Sequence, residues 1–282
     1  MDDTIITTYY LCDEFLKAIG HHHDQQVRLS TAEVMSVALV AATFFGGNVE
    51  ASRSFLDEYG YIEKAISKSR FNRRLHAIDS SLWQQLFDLL AEVFKQNNPD
   101  QSYVVDSLPV AVCDNIRIRR SKLYPLQEHG EAFRGYIERA NAAISTVFTR
   151  ASGEYRERGA CGVHPGGSFR SRHQPLQGVL QGVEAGVLPE GAIICADKGY
   201  TDYHYEDLLE DVGLHLKAQR RKRSKREMPA WVEFLSKPIR KYIETVFSKL
   251  SAMLAGKIHA VTPRGFELKI VCFLLAFSIQ CL

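Results

Sequence analysis

Tyr103-Val104-Val105-Asp106-Ser107 is the stretch on which the reading of this chain turns. A short run of strand-forming residues ends on a carboxylate. A strand alternates its side chains, so Val104 and Asp106 share one face. A carboxylate at a strand end leaves the core while its apolar neighbours stay buried. The pattern recurs in Ile193-Ile194-Cys195-Ala196-Asp197-Lys198-Gly199-Tyr200, where Asp197 ends the second run. A third carboxylate, Glu244, lies in Arg240-Lys241-Tyr242-Ile243-Glu244-Thr245-Val246-Phe247-Ser248-Lys249-Leu250. There Ile239, Ile243, Val246, Phe247 and Leu250 fall on one helical face, and Glu244 stands at its rim. Two such strands side by side bring Asp106 and Asp197 together, and Glu244 reaches the same cleft.

Oxygen-only ligands suit two Mg²⁺ (or Mn²⁺) ions rather than zinc. Ions about 3.5–4 Å apart serve phosphodiester chemistry, activating one oxygen and stabilising the other. The order Asp, Asp, Glu therefore points to a nuclease or a DNA strand transferase. Plainer readings stand beside this one. An aspartate at a strand end is also a turn former. Arg240 and Glu244 are four residues apart, a helix ion-pair spacing worth a few tenths of a kcal/mol.

A chain of 282 residues, 45% hydrophobic and 24% charged, suits one large domain or two smaller ones. The net charge of +2 does not by itself mark a nucleic-acid binder. The charge distribution says more. Arg220-Arg221-Lys222-Arg223-Ser224-Lys225-Arg226 is a dense basic run, read as a DNA contact or as a solvated linker. The six cysteines are scattered without a Cys-x-x-Cys pair, against a zinc site. The opening Met1-Asp2-Asp3 lacks a signal-like pattern, so a reducing cytoplasm is the expected setting. The apolar run Ile270–Ile279 is about half the ~20 residues a membrane span needs, and predicts a buried terminal helix without a membrane role.

Residues 1–96 read as helical. Leu29-Ser30-Thr31-Ala32-Glu33 is a helix start, with Ser30 or Thr31 as N-cap, and the helix stops at Gly46-Gly47. Further helices are expected over Val49–Tyr59, through Ser67–His76, and over Ser81–Phe94. The basic element Ser67–His76, preceded by helices, resembles a helix-turn-helix reader. Lys68, Arg70, Arg73 and Arg74 would then meet phosphates and Asn72 a base edge; the other reading is an amphipathic helix with a solvated basic face. His21-His22-His23 reads as a loop. Asn97-Asn98-Pro99-Asp100 marks a boundary. Beyond it, strands are expected over Ser102–Val112 and Gly191–Ala196, and a helix over Glu206–Leu216.

These pieces together resemble a bacterial insertion-sequence transposase of the DDE kind, most like the insertion sequence 982 family. The matching stretches are Leu29–Met35, Phe44-Phe45-Gly46-Gly47-Asn48, Val105-Asp106-Ser107-Leu108-Pro109-Val110, Phe133-Arg134-Gly135-Tyr136, Ala196–Tyr203 and Ile243–Ser248. The resemblance implies an α/β chain: an RNase H-like mixed sheet with helices over 99–282, behind an all-α DNA-binding region over 1–98. It implies Asp106, Asp197 and Glu244 as ligands of two Mg²⁺ or Mn²⁺ ions. It implies that Arg240 and Lys249 meet DNA phosphates; Arg220, Arg221, Lys222 and Arg223 of the basic run are read, on their own charge, as further DNA contacts. The implied partners are double-stranded DNA, as terminal inverted repeats and target, and a second copy of the chain in the synaptic complex. The nucleophiles are water and then a DNA 3′-hydroxyl, so neither Ser107 nor Tyr200 is needed as one.

The resemblance also leads one to expect strands reading roughly Ser-Lys-Arg-Arg-Tyr-Phe-Tyr-Gly and Pro-Val-Glu-Phe-Ile-Leu-Ala, and neither is present. Permitted codons for Arg139–Val147, read from the third base, spell the first. Permitted codons for Ala160–Gly167, read from the second base, spell the second. Residues 138–187 are therefore read as frameshifted, with a divergent insertion or a sequencing error as the other accounts; the gene's own codons decide. The expectation that follows is an irregular or disordered segment, an open sheet edge and little transposition. Two other functions stay open. One is a DNA-binding remnant acting as a passive repressor; the other is an RNase H-like nuclease without end specificity.

Overall fold

The structure, a computed structural model, describes residues 1–22, 26–63, 66–110, 142–149, 160–166, 188–254 and 258–282. For 106–109, 142–149, 160–166, 235–237 and 239–240 it describes the backbone alone. Two compact units divide the chain. One is Met1–Leu89 with Leu250–Gln280 and Leu282; the other is Leu90–Lys249 with Cys281.

The first unit is helical. It contains α1 (Asp2–Ala18), α2 (Thr31–Phe44), α3 (Val49–Glu58), α4 (Lys68–Ala77) and the start of α5 (Ser80–Gln96). Of the two candidate N-caps, Ser30 takes the role. Its Oγ accepts from the Glu33 N–H at 3.1 Å, and the Glu33 carboxylate accepts from the Ser30 N–H. Two otherwise unmatched N–H groups are thereby satisfied. Ser30→Ala is expected to cost about 1 kcal/mol in urea unfolding of the full chain; an unchanged midpoint would show the cap to be idle.

Residues Ala32 and Val34–Ala42 are buried all round α2, as in a helix enclosed by others. The helix stops where Gly46 (φ 55°) and Gly47 (φ 78°) turn the chain. At Gly47 a side chain is disfavoured twice. The φ is left-handed, and a Cβ would come within 3.0 Å of Phe273 Cζ.

Phe273 belongs to the last helix, numbered α8 below (Pro263–Gln280), whose Cys272–Ile279 are all buried. The buried terminal helix expected from sequence is present. No single described helix is long and apolar enough to cross a membrane. The compact units nevertheless differ from the expected split into 1–98 and 99–282, because α8 packs with α2 in the helical unit. A helix this apolar needs burial on every side, and α2 supplies an equally apolar partner.

The second unit is α/β. Its sheet has the order β3-β2-β1-β4-β5, with β1 (Ser102–Val110), β2 (Ala142–Thr149), β3 (Ala160–Gly166), β4 (Ile193–Ala196) and β5 (His215–Ala218). β2 is antiparallel to both of its neighbours, β1 and β3; β1, β4 and β5 are parallel. Tyr103, Val104 and Val105 are all buried, as expected of a central strand covered on both faces. Tyr103, Val105, Ile194, Ala196, Leu209, Leu214 and Leu216 form its core.

Two expectations are corrected here. Residues 142–149 and 160–166, placed by sequence in an irregular segment, form strands. β2 runs the length of β1, from Val110↔Ala142 to Tyr103↔Thr149, and β3 pairs β2. Ile144, Thr146, Val147 and Phe148 are strand formers, and they occupy an edge of β1 that would otherwise carry unpaired N–H and C=O groups. The rest of 138–187 lies outside the described residues. The helix expected over Glu206–Leu216 is instead α6 (Tyr203–Asp211), then Gly213 at φ 76°, then β5. Leu214, Leu216 and Ala218 are buried while His215 and Lys217 are half-buried, a period of two rather than 3.6. Helix α7 (Ala230–Met253) starts earlier than its apolar stripe suggests and runs through Pro238.

Candidate carboxylate and nucleic-acid site

β1 and β4 pair in parallel from Ser102↔Ile193 to Val105↔Ala196. Asp106 and Asp197 are the residues that follow the last of these pairs. Neighbouring strands lie about 4.8 Å apart, so the two aspartates lie at the same level of the sheet, Asp197 just past the end of β4 and Asp106 inside β1 rather than at the strand end expected from sequence. Asp106 is described by backbone alone; it continues β1 opposite Thr146 of β2.

Asp197 occupies the N-cap position of a short 3₁₀ turn, Lys198–Tyr200, but its side chain makes no cap hydrogen bond. The turn-former reading therefore does not account for its carboxylate. Asp202 shows the contrast five residues on. It caps α6, accepting from the N–H groups of His204 (3.0 Å) and Tyr205 (3.3 Å).

Glu244 is exposed on α7, where Ile243, Val246 and Leu250 are buried. It opens onto a groove of about 960 Å³ whose walls include Arg220, Arg221, Lys222, Arg226 and Lys241. Glu227 and Glu233 line it too, so three carboxylates and five cations share one groove. Lys249 is exposed on the same helix. The side chain of Arg240 lies outside the described residues, so the Arg240–Glu244 pair has no description here.

The basic run is no loose linker, because α6 holds it at both ends. Arg220 donates both terminal nitrogens to the buried Glu206 carboxylate, one at 2.8 Å. Arg226 donates to both Asp207 oxygens, at 2.6 and 2.8 Å. Both guanidiniums lie over the Tyr203 ring, at 5.5 and 4.9 Å from its centre. The Tyr203 hydroxyl meets Ser224 Oγ at 2.7 Å and accepts from the Lys225 N–H at 2.9 Å. Arg226 holds the Asp207 carboxyl below its usual range by these hydrogen bonds.

The bracket sorts the cations that sequence had grouped together. Arg220 is committed to Glu206, while Arg221, Lys222, Arg223 and Lys225 stay exposed between the two anchors. Sequence reasoning missed Tyr203, Glu206 and Asp207 as supports, and Lys241 as a groove residue. The available signal was charge pairing between an acidic helix and a basic run two elements apart, which no local pattern displays.

A similar sorting applies to α4. Phe71 and Leu75 are buried; Lys68, Arg70, Asn72 and Arg73 are exposed. Arg74, grouped with the phosphate contacts by sequence, instead donates to the Leu29 carbonyl, and burial pushes its pKa down. His21 lies outside any helix and meets Thr31 Oγ1 at 3.2 Å.

Among the described residues no three His, Cys, Asp or Glu side chains cluster as a metal site, and Asp106's side chain is not among them. The donor chemistry of Asp197 and Glu244 is that of a hard divalent ion.

No family model matches this chain, and no curated protein does. Among solved structures it is similar to a chain of a piggyBac transposase synaptic complex with hairpin DNA. That likeness has 14% identity and a TM-score of 0.36, over 83% of this chain and 51% of the other. The chain thus spans about half the length of the structure it matches.

Proposed function

We propose that this chain is a DNA strand transferase of the DDE kind, of the insertion sequence 982 type, whose second unit is an RNase H-like catalytic core. The observation that carries the reading is the parallel pairing of β1 with β4, which ends at the two aspartates the sequence singled out. The pairing of β2 along β1 supports it as well, since such a core needs the strand after Asp106 to complete its sheet. It also removes the argument for an inactive copy that rested on an open edge. The codon test on the gene still decides whether 138–187 is frameshifted.

Asp106, Asp197 and Glu244 are the proposed ligands of two Mg²⁺ or Mn²⁺ ions. Bound there, the ions would activate the attacking oxygen and stabilise the leaving one. Arg221, Lys222, Arg223, Lys241 and Lys249 would hold the phosphodiester backbone by charge, with Arg220 keeping the loop in place. The substrates are the inverted repeats that flank the gene and a target duplex, with two copies of the chain joining two ends in the bacterial cytoplasm.

The purified chain, given duplexes that carry the gene's flanking ends and Mg²⁺, is expected to nick at the ends and join 3′-hydroxyls to a second duplex. EDTA should abolish both products. Failure with either Mg²⁺ or Mn²⁺ overturns the proposal, and cleavage regardless of end sequence favours the nuclease. The exposed face of α4 favours one further reading, a repressor that only binds. Salt-dependent binding that persists in Asp106→Ala without any cleavage by the parent chain would establish it.

A further inference from the structure

A cavity of about 360 Å³ lies within the helical unit, bounded by the Gly46-Gly47 turn, the start of α3, α4, Ile258-His259 and α8. Its walls are apolar, but Lys68, Asn72, His76, His259 and Lys269 bring polar groups to it from three separate segments. Lys269 is half-buried on α8. Its ammonium donates to the His259 carbonyl, and burial pushes its pKa down. Glu50 also reaches the cavity, yet Arg53 already holds both its oxygens, at 2.7 and 3.1 Å. The two lysines therefore leave the cavity with surplus positive charge. Among the described residues this partly desolvated ammonium hydrogen-bonds to a neutral carbonyl, and a charged acceptor would be its better partner.

We infer that this cavity is an oxyanion site of the phosphate class, with Lys269 at its wall and Lys68 and Asn72 on α4 closing over the anion. A tetrahedral anion offers several acceptors at once, which suits donors converging from separate segments. The volume exceeds several times the ~30 Å³ share of one water, leaving room for the groups esterified to a phosphate. The same chemistry has two sources, a backbone phosphate of DNA lying along α4 or a free phosphorylated compound. The inference does not depend on the carboxylates of the second unit.

The test uses the full chain, its Lys269→Met and Lys68→Gln variants, and inorganic phosphate as the probe against chloride at equal ionic strength. Binding to the folded state raises Tm with ligand concentration. Phosphate also acts generally by exclusion from protein surfaces, so the variants supply the baseline. The parent is expected to gain several degrees beyond both variants, and Lys68→Gln to weaken phosphate binding at least about fivefold, a charge-assisted hydrogen bond's worth. Lys68 is exposed, so that variant reports even where Lys269→Met fails to fold. In the DNA arm, losing a phosphate contact lowers the slope of log K against log salt by about one. A lowered slope identifies the anion as DNA, and an unchanged slope with a lost phosphate response identifies a free compound. Equal phosphate responses in parent and Lys68→Gln overturn the site.

Discussion

Asp197→Asn is expected to lower Mg²⁺-dependent end cleavage by at least about 10²-fold, the order lost when one electrostatic stabiliser of a transition state is removed. The substitution keeps the side chain's size and removes its charge. Urea unfolding of the variant, run beside the cleavage assay, separates a lost ligand from a lost fold. Binding of DNA should persist or tighten, because a negative charge beside phosphates has gone. Asp106→Asn and Glu244→Gln should behave alike, and the three effects should not add, since ligands of one site act as a unit. Ser107→Ala and Tyr200→Phe are the contrasting variants, expected to keep cleavage within a few-fold because no covalent protein–DNA step is required. The measurement is single-turnover nicking of an end duplex. Retention of cleavage within threefold in Asp197→Asn would remove that residue from the proposed chemistry.

Glu206→Ala should destabilise the second unit by about 3 kcal/mol. Its buried carboxylate takes both terminal nitrogens of Arg220, and removing one partner of a buried ion pair leaves the other charge uncompensated. Arg220 keeps some access to water, so the lower part of the usual range applies. Asp207→Ala is the internal control. That carboxylate is exposed, and its pair with Arg226 should be worth less than about 1 kcal/mol. Urea unfolding of the two variants separates them. Equal midpoints would mean that the Tyr203 bracket does not depend on its buried half. The functional counterpart is a loop released at Arg220, with Arg221 and Lys222 free to leave the groove beside Glu244. Glu206→Ala should therefore weaken DNA binding even at temperatures where the chain stays folded.

What the residues themselves determined was local. Ser30 and Glu33 specify the start of α2, and Gly46-Gly47 its end, because capping and left-handed backbone depend on nearest neighbours. The runs ending at Asp106 and Asp197 announce strands by composition alone, and Ile243, Val246 and Leu250 announce a helix face by spacing. Tertiary structure decided everything that depends on a distant partner. The register Val105↔Ala196 brings together two residues ninety-one positions apart, and nothing in either run specifies it. Arg74 and Arg220 look like their basic neighbours in sequence; the Leu29 carbonyl and the Glu206 carboxylate took them out of the exposed set. The pairing of β2 and β3 supplied strands in a segment whose composition had argued against them, because an open edge on β1 rewards any strand-forming run that reaches it. β5 was hidden for a related reason: four residues of alternation after a helix are too short to outweigh the helix's own period, until β4 offers a ladder to pair with. Periodicity is written in adjacent residues, whereas register, pairing and the free or committed state of a charge are properties of two segments at once.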